Sequence, residues 1–287
     1  MPLLFGPSGI PASTVLPDVG THAANESTHA GIERVAELGL GCMEMAFVHG
    51  VYIKEPDALD VKETAKKCNV SLSCHAPYYI NLNAKEAQKV AASRQYILRS
   101  AKIANMCGAD TVVFHAGYYL GQDPAEVYDL IKKEVKALQD ELDKAGNPIR
   151  LRPEVSGKAS QFGSVEELVR LIQDDGRISM CIDMAHWHAR DGKFNSYEEF
   201  DALFQMLDRE LGDSYLKNVH FHVSGIDYGD KGEKKHLPLQ ESDLRFEELL
   251  KSFADHKLEG KVICESPNQE VDALLLQSTY QKILASK

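Results

Sequence analysis

Long apolar runs are missing from this sequence. No stretch approaches the roughly 18 apolar residues that a membrane helix needs, so a membrane span is not expected. The opening residues Met1 to Ser13 carry no basic cluster followed by an apolar core, and they read as no secretory signal. Cysteine is scarce and scattered: the six lie at 42, 68, 74, 107, 181 and 264, with no CxxC pair. That pattern excludes a disulfide frame and fits buried thiols in a reducing compartment, so a cytoplasmic address is expected. Positive charge is also short, 32 Lys and Arg against 43 Asp and Glu, for a net charge of -11. Such a balance argues against a general nucleic-acid binder with a broad basic face. It leaves room for a nuclease whose bound cations meet the phosphates, and acid-rich pockets are what divalent metals require. Low-complexity stretches, long linkers and composition breaks are absent too, so residues 1–287 read as one domain.

What is present is an alternation of short apolar runs with amphipathic segments. The runs Leu3–Gly6, Cys42–Phe47, Val70–His75, Thr111–His115, Ile149–Glu154, Ser179–Asp183, Val219–Val223 and Lys261–Glu265 read as parallel strands covered on both faces. Helix starts lie between them. Asp123-Pro124-Ala125-Glu126 sets an N-cap before a proline at the first helical position, and Ser164–Glu167 and Ser196–Glu199 are capping boxes. Gly39 and Gly108 stop the helices before them. Within 127–142, Leu130, Ile131, Val135, Leu138 and Leu142 form one apolar stripe. Eight strands each followed by a helix predict a (β/α)8 TIM barrel. A doubly wound open sheet is the alternative, and the lack of a glycine-rich dinucleotide turn counts against it.

In such barrels the active site lies at the C-terminal strand ends. Strand three ends in His75, strand four in His115, strand five in Glu154 and strand six in Asp183, followed by His186. Strand seven offers His220 and His222, and strand eight ends in Glu265. Singly, a strand-end histidine is more often a hydrogen-bonded rim residue, and a carboxylate a helix cap or ion-pair partner. Six successive strands doing this is a different matter, because ionisable groups closing apolar runs cost several kcal/mol unless paired or metal-bound. The joint pattern points to a metal centre, and imidazole with carboxylate suits zinc, manganese or iron over calcium. His222, nearer the rim, is the expected ligand and His220 a deeper core residue, while His188 is expected at the surface. Cys74, Cys181 and Cys264 read as structural. The segment Ser224–Pro238, with Lys231, Lys234, Lys235 and His236, reads as a long charged loop, solvated or contacting an anionic substrate.

The stretches His75-Ala-Pro-Tyr-Tyr-Ile-Asn-Leu, Phe114-His115-Ala-Gly, Glu154-Val-Ser-Gly-Lys-Ala-Ser-Gln-Phe-Gly163, Cys181-Ile-Asp-Met-Ala-His186, His222-Val-Ser and Glu265-Ser-Pro resemble the endonuclease IV family of abasic-site endonucleases, within the xylose-isomerase-like barrels. The resemblance runs from strand three to strand eight. It implies two or three zinc ions, with manganese or iron at some positions. His75 and His115 would hold the first, with Glu154 bridging to a second completed by Asp183, His222 and Glu265. His186 and His236 would hold a third. There the chain departs from the family's Asp–x–His: Lys234 stands at the aspartate position, with Glu233 adjacent but out of register. The strand-one His-Val-Ser is replaced by Gly6-Pro-Ser-Gly9, and the loop after strand two, Val48 to Tyr52, lacks the family's arginine. The wedge tyrosine is matched by Tyr78, and Lys234 is expected to meet a substrate phosphate.

The implied reaction is hydrolysis of the DNA phosphodiester 5′ to an abasic site by a hydroxide between metals, with Glu154 and Glu265 as the catalytic carboxylates. The protein would be a monomer whose partner is abasic DNA. A one-ion sugar isomerase or 3-epimerase uses the same Glu154, Asp183, His222 and Glu265 set, but it leaves His75, His115 and His186 unexplained. A non-catalytic DNA-lesion binder is the reading from another class.

Overall fold

The computed structural model describes residues 2–15 and 24–287. Eight parallel strands appear where the apolar runs lie: β1 (Leu3–Pro7), β2 (Cys42–Ala46), β3 (Ser71–His75), β4 (Thr111–Phe114), β5 (Arg150–Pro153), β6 (Ile182–Asp183), β7 (Val219–Val223) and, after the hairpin β8 and β9 described below, β10 (Gly260–Cys264). They form two four-stranded sheets, β1-β10-β7-β6 and β2-β3-β4-β5. Single parallel bridges, Ser8 with Glu44 and Glu154 with Cys181, join these sheets on both sides and close the barrel. β6 is shorter than expected. Pro153 has no N–H for the ladder, and only isolated bonds, such as Ser179 N to Leu151 O at 3.0 Å, hold the preceding residues.

Helices α1 (Ala24–Glu37), α2 (Glu55–Cys68), α3 (Ala87–Met106), α4 (Pro124–Lys144), α5 (Val165–Asp174), α6 (Met184–Asp191), α7 (Tyr197–Leu211), the single turn α8 (Asp213–Leu216), α9 (Phe246–Asp255) and α10 (Glu270–Ala285) surround the strands. The start signals act as expected: Asp123 accepts from the backbone of Ala125 and Glu126, and both capping boxes are closed. In α4 the apolar stripe is rotated slightly. Val127 and Tyr128 are buried, whereas Leu130 is 38% exposed and leaves the core face. Strand and helix side chains share one continuous hydrophobic core. Among the described residues, no helix is long and apolar enough to cross a membrane.

The segment after β7, expected as a loop, folds as an antiparallel hairpin of β8 (Gly225–Gly229) and β9 (Gly232–Leu237). Its pairing runs Asp227 with Lys235 and then Tyr228 with Glu233, so Lys234 is an extra, unpaired residue. Gly232 turns the tip at φ 88° and lies against Gly157, whose carbonyl accepts from Glu233 N at 2.9 Å. Ile226 and Tyr228 pack the hairpin on Ala185 and Ala189 of α6. His188 belongs to this anchor and not to the surface: it is 2% exposed, with Nδ1 donating to Lys193 O at 2.6 Å and its ring edge-on to Tyr228. Helix α6 turns that face inward under the hairpin, which periodicity within an eight-residue helix cannot reveal.

Candidate metal centre

A cavity of about 540 Å³ opens at the C-terminal ends of the strands, lined among others by His75, His115, His186, Glu233, His236 and Glu265. The structure gathers all eight expected ligands there as overlapping clusters: His75, His115 and Glu154; Glu154, Asp183, His222 and Glu265; Asp183, His186 and His236. Five of the eight are the last residue of an apolar strand or the one after it, His222 is the last but one of β7, and His186 and His236 come from α6 and the hairpin.

Glu154 is the hub. It is 1% exposed, and its Oε2 lies 3.1 Å from His75 Nε2 and 3.2 Å from His115 Nε2. Its Oε1 lies 2.9 Å from His222 Nδ1. Burial opposes its ionisation, yet His115, His222 and His75 hold its carboxyl well below the usual range. His75 is driven the other way. Burial disfavours its charge, but the Glu154 hydrogen bond and charge raise it to about 9. His186 reaches about 9 against the same burial, through Asp183, Glu154 and Glu233. Burial pulls His115 down to about 4. Burial pushes the Asp183 carboxyl up.

The tautomers show what this set is suited to hold. His75 Nδ1 donates to Ala76 O at 2.7 Å, so a neutral ring aims its Nε2 lone pair at a carboxylate oxygen. His186 Nδ1 donates to Val155 O at 3.0 Å and His236 Nδ1 to Glu265 O at 3.2 Å. In neutral rings their two Nε2 lone pairs would then face each other across 3.2 Å, with Glu233 Oε2 3.5 Å from His186 Nε2. Asp183 Oδ1 accepts from His186 N, while its buried Oδ2 has no hydrogen-bond partner. Opposed lone pairs and an orphan carboxylate oxygen are unfavourable unless protons or cations lie between them. The residues present therefore fit divalent cations.

Two expectations about the hairpin change. Lys234 does not face the cavity: its side chain is 59% exposed and reaches Asp227 Oδ1 at 3.4 Å. Glu233 takes the inward position. Side chains three apart on a regular strand point to opposite faces, but the extra residue at Lys234 resets the alternation, so Glu233 and His236 share the inner face. Tyr78 does line the cavity, at its 55% exposed rim, edge-on to His49. Lys158 and Gln161, from the β5–α5 loop, also line it and were not singled out by strand-end reading. Beneath the rim His222 Nε2 meets a buried carboxylate of β2, Glu44, at 3.0 Å.

The hairpin's fit can be tested at Gly157. A β-carbon there would lie 2.8 Å from Glu233 Cβ and 3.0 Å from His186 Cδ2. Gly157→Ala is expected to push the hairpin outward and cost about 1–3 kcal/mol of stability. Thermal unfolding temperature and metal content should both fall, and a variant with unchanged metal content would show that the hairpin's seat is not needed for the site.

A model of the xylose isomerase-like TIM barrel family matches residues 32–282. An uncharacterized protein of Methanocaldococcus jannaschii is 39% identical over 282 residues, covering 98% of each chain. A protein named "Probable endonuclease 4" from Mycoplasma pneumoniae is 25% identical over 201 residues, 68% of each chain. Among solved structures, endonuclease IV from Thermus thermophilus superposes with a TM-score of 0.72 at 19% identity, over 98% of this chain and 100% of that one. A D-tagatose 3-epimerase-like protein gives the same TM-score, 0.72, at 17% identity over 99% and 97%. At these identities the superpositions speak for the barrel alone.

Proposed function

The chain belongs to the xylose isomerase-like TIM barrel family, and from that premise we propose that it is a metal-dependent phosphodiester hydrolase that cuts DNA 5′ to an abasic site. The observation that carries this reading is that Glu154 joins two ligand clusters, His75 and His115 on one side and Asp183, His222 and Glu265 on the other. A single-ion sugar enzyme needs only the second. His75, His115 and Glu154 would hold one ion, and Glu154, Asp183, His222 and Glu265 another. Asp183, His186 and His236 would hold a third, with Glu233 beside His186 and Lys234, expected at a substrate phosphate, turned away. Bound there, zinc or manganese supplies Lewis-acid polarisation of a phosphoryl group and a water acidified toward neutral pH.

The chain's own groups do the rest. Glu265, 16% exposed at its side chain, is the carboxylate of the second cluster most open to the cavity, and it takes the proton of the attacking water. Lys158, on the cavity wall, meets a phosphate oxygen. Tyr78 presents an exposed ring to the sugar and neighbouring base of an unstacked nucleotide. A baseless site is favoured because flipping an intact nucleotide costs a few kcal/mol. We also read the chain as a one-domain monomer of the cytoplasm, in keeping with a continuous core and six unpaired cysteines.

A second reading, sugar isomerisation or 3-epimerisation, is favoured by the four-ligand set and by the net charge of -11. Metal content per chain, followed by incubation with a duplex carrying one abasic site, separates the two. Two or three ions with a chelator-sensitive nick 5′ to the lesion support the nuclease. One ion and no nick with zinc or manganese restored would move the assignment to the sugar enzyme. Within the nuclease reading, Glu233→Ala is expected to slow cleavage about 10–100-fold, as loss of a group supporting a ligand does. Lys234→Ala should stay within about twofold, as for an exposed side chain. Single-turnover rates of the two variants check this, and the reverse order would return the role to Lys234.

A further inference from the structure

The polar interior does not stop at the cavity floor. Glu44 stands in the middle of β2 and is wholly buried, with no Lys or Arg in hydrogen-bond or ion-pair contact among the described residues. A carboxylate so placed costs several kcal/mol unless donors surround it. Two side chains donate to it, and a third lies against it. Ser73 Oγ, in register on β3, donates to Oε2 at 2.9 Å, and His220 Nε2 donates to the same oxygen at 3.0 Å. His222 Nε2 lies 3.0 Å from Oε1 outside hydrogen-bond geometry, and neither of those two buried atoms has a hydrogen-bond partner.

His222 thus has a carboxylate at each ring nitrogen: Glu44 at Nε2, and at Nδ1 Glu265 Oε1 at 3.5 Å and Glu154 Oε1 at 2.9 Å, the one contact of the three in hydrogen-bond geometry in the metal-free chain. A neutral ring matches only one of them with its proton. The lower side is closed, since Glu44, Ser73 and His220 are at most 1% exposed. The upper side adjoins the cavity and the Glu154, Asp183 and Glu265 cluster, where a cation has its other ligands.

Resting on the metal-centre reading above, we propose that Glu44 is a positioning residue for metal binding. It holds the His222 proton on Nε2 and so leaves the Nδ1 lone pair facing the cluster. Ser73 and His220 in turn hold Glu44, forming a chain of contacts from β3 and β7 through β2 to the rim. A ligand histidine whose far nitrogen donates to a carboxylate is fixed in ring orientation and made more basic. This assigns a use to the one carboxylate inside the apolar run of β2.

Glu44→Gln keeps the shape and removes the charge. Metal-free wild-type and variant chains are titrated with zinc in competition with a chromophoric chelator. The variant should bind one ion about 10–100-fold more weakly and the others as wild type does, a split that a general loosening of the fold would not produce. Nitrogen NMR of the zinc-loaded wild type should place the His222 proton on Nε2, and this measurement decides alone if the variant fails to fold. Equal affinities for every ion in both chains, or a proton on Nδ1, overturn the role of Glu44 while leaving the metal centre standing. A wild-type chain that binds no zinc overturns both.

Discussion

Glu154→Gln is expected to lower the rate of abasic-site cleavage on the order of a thousandfold or more, with the barrel still folded. The carboxylate is 1% exposed and reaches three histidines from two clusters through its two oxygens, at 3.1, 3.2 and 2.9 Å. No other side chain lies in both of these clusters. Glutamine fills the same volume, so packing survives. Its amide nitrogen, however, presents hydrogens where a carboxylate oxygen would ligate, and the amide carries no charge to balance a cation. Metal content should drop by at least one ion in the same preparation. Cleavage retained at the wild-type rate would remove Glu154 from the bridging position, whatever the remaining ligands do.

Stripping the metal is expected to cost more stability at pH 9 than at pH 6.5. In the metal-free chain His75 and His186 titrate at about 9 against an ordinary 6.5, because neighbouring carboxylates overcome the burial that opposes their charge. Groups raised in this way contribute stability that is complete below 6.5 and is lost as pH rises through about 9. His222 is raised likewise, through Cys181, Glu265, Glu44 and Glu154 against burial. Below 6.5 the opposite sign sets in. His115 and His220, pulled by burial to about 4, and the depressed Glu154 carboxyl lose stability as pH falls. Zinc needs neutral imidazoles, so its binding releases those protons and tightens as pH rises. Between pH 6.5 and 9 the metal-free melting temperature should therefore fall while the metal's contribution grows. At free zinc about a thousand times its dissociation constant that contribution is about 4 kcal/mol, on the order of 10 °C for a chain of this size. Calorimetry with and without chelator at pH 6.5, 7.5 and 9 measures the gap, and a gap that narrows upward would count against histidine ligation.

The residues that close each strand were legible because two periodicities agree there: a short apolar run ends and an ionisable side chain follows at the rim. His75, His115, Glu154, Asp183 and Glu265 obey that rule, His222 lies one residue short of the end of β7, and the structure brings all six together. Glu44 breaks it from inside. A carboxylate between Met43 and Met45 was itself a signal, since such a charge in an apolar run needs donors, but its donors lie on β3 and β7, far away in sequence. Glu233 was legible only as a neighbour of the wrong residue. Counting by twos along β9 from His236 selects Lys234, and nothing local announces the extra residue that hands the inner face to Glu233.

By itself, then, the sequence determined the eight-stranded parallel barrel, the candidate ligands near the strand ends and the capped starts of α4, α5 and α7, because these depend on local alternation, capping and the burial of apolar runs. The tertiary structure alone decided the seat of the hairpin, the burial of His188, the exchange of Lys234 for Glu233 and the pairing of Glu44 with His222. Each of those turns on contacts between residues distant along the chain. A one-residue bulge or a cross-barrel hydrogen bond leaves no periodic trace in the segment that makes it.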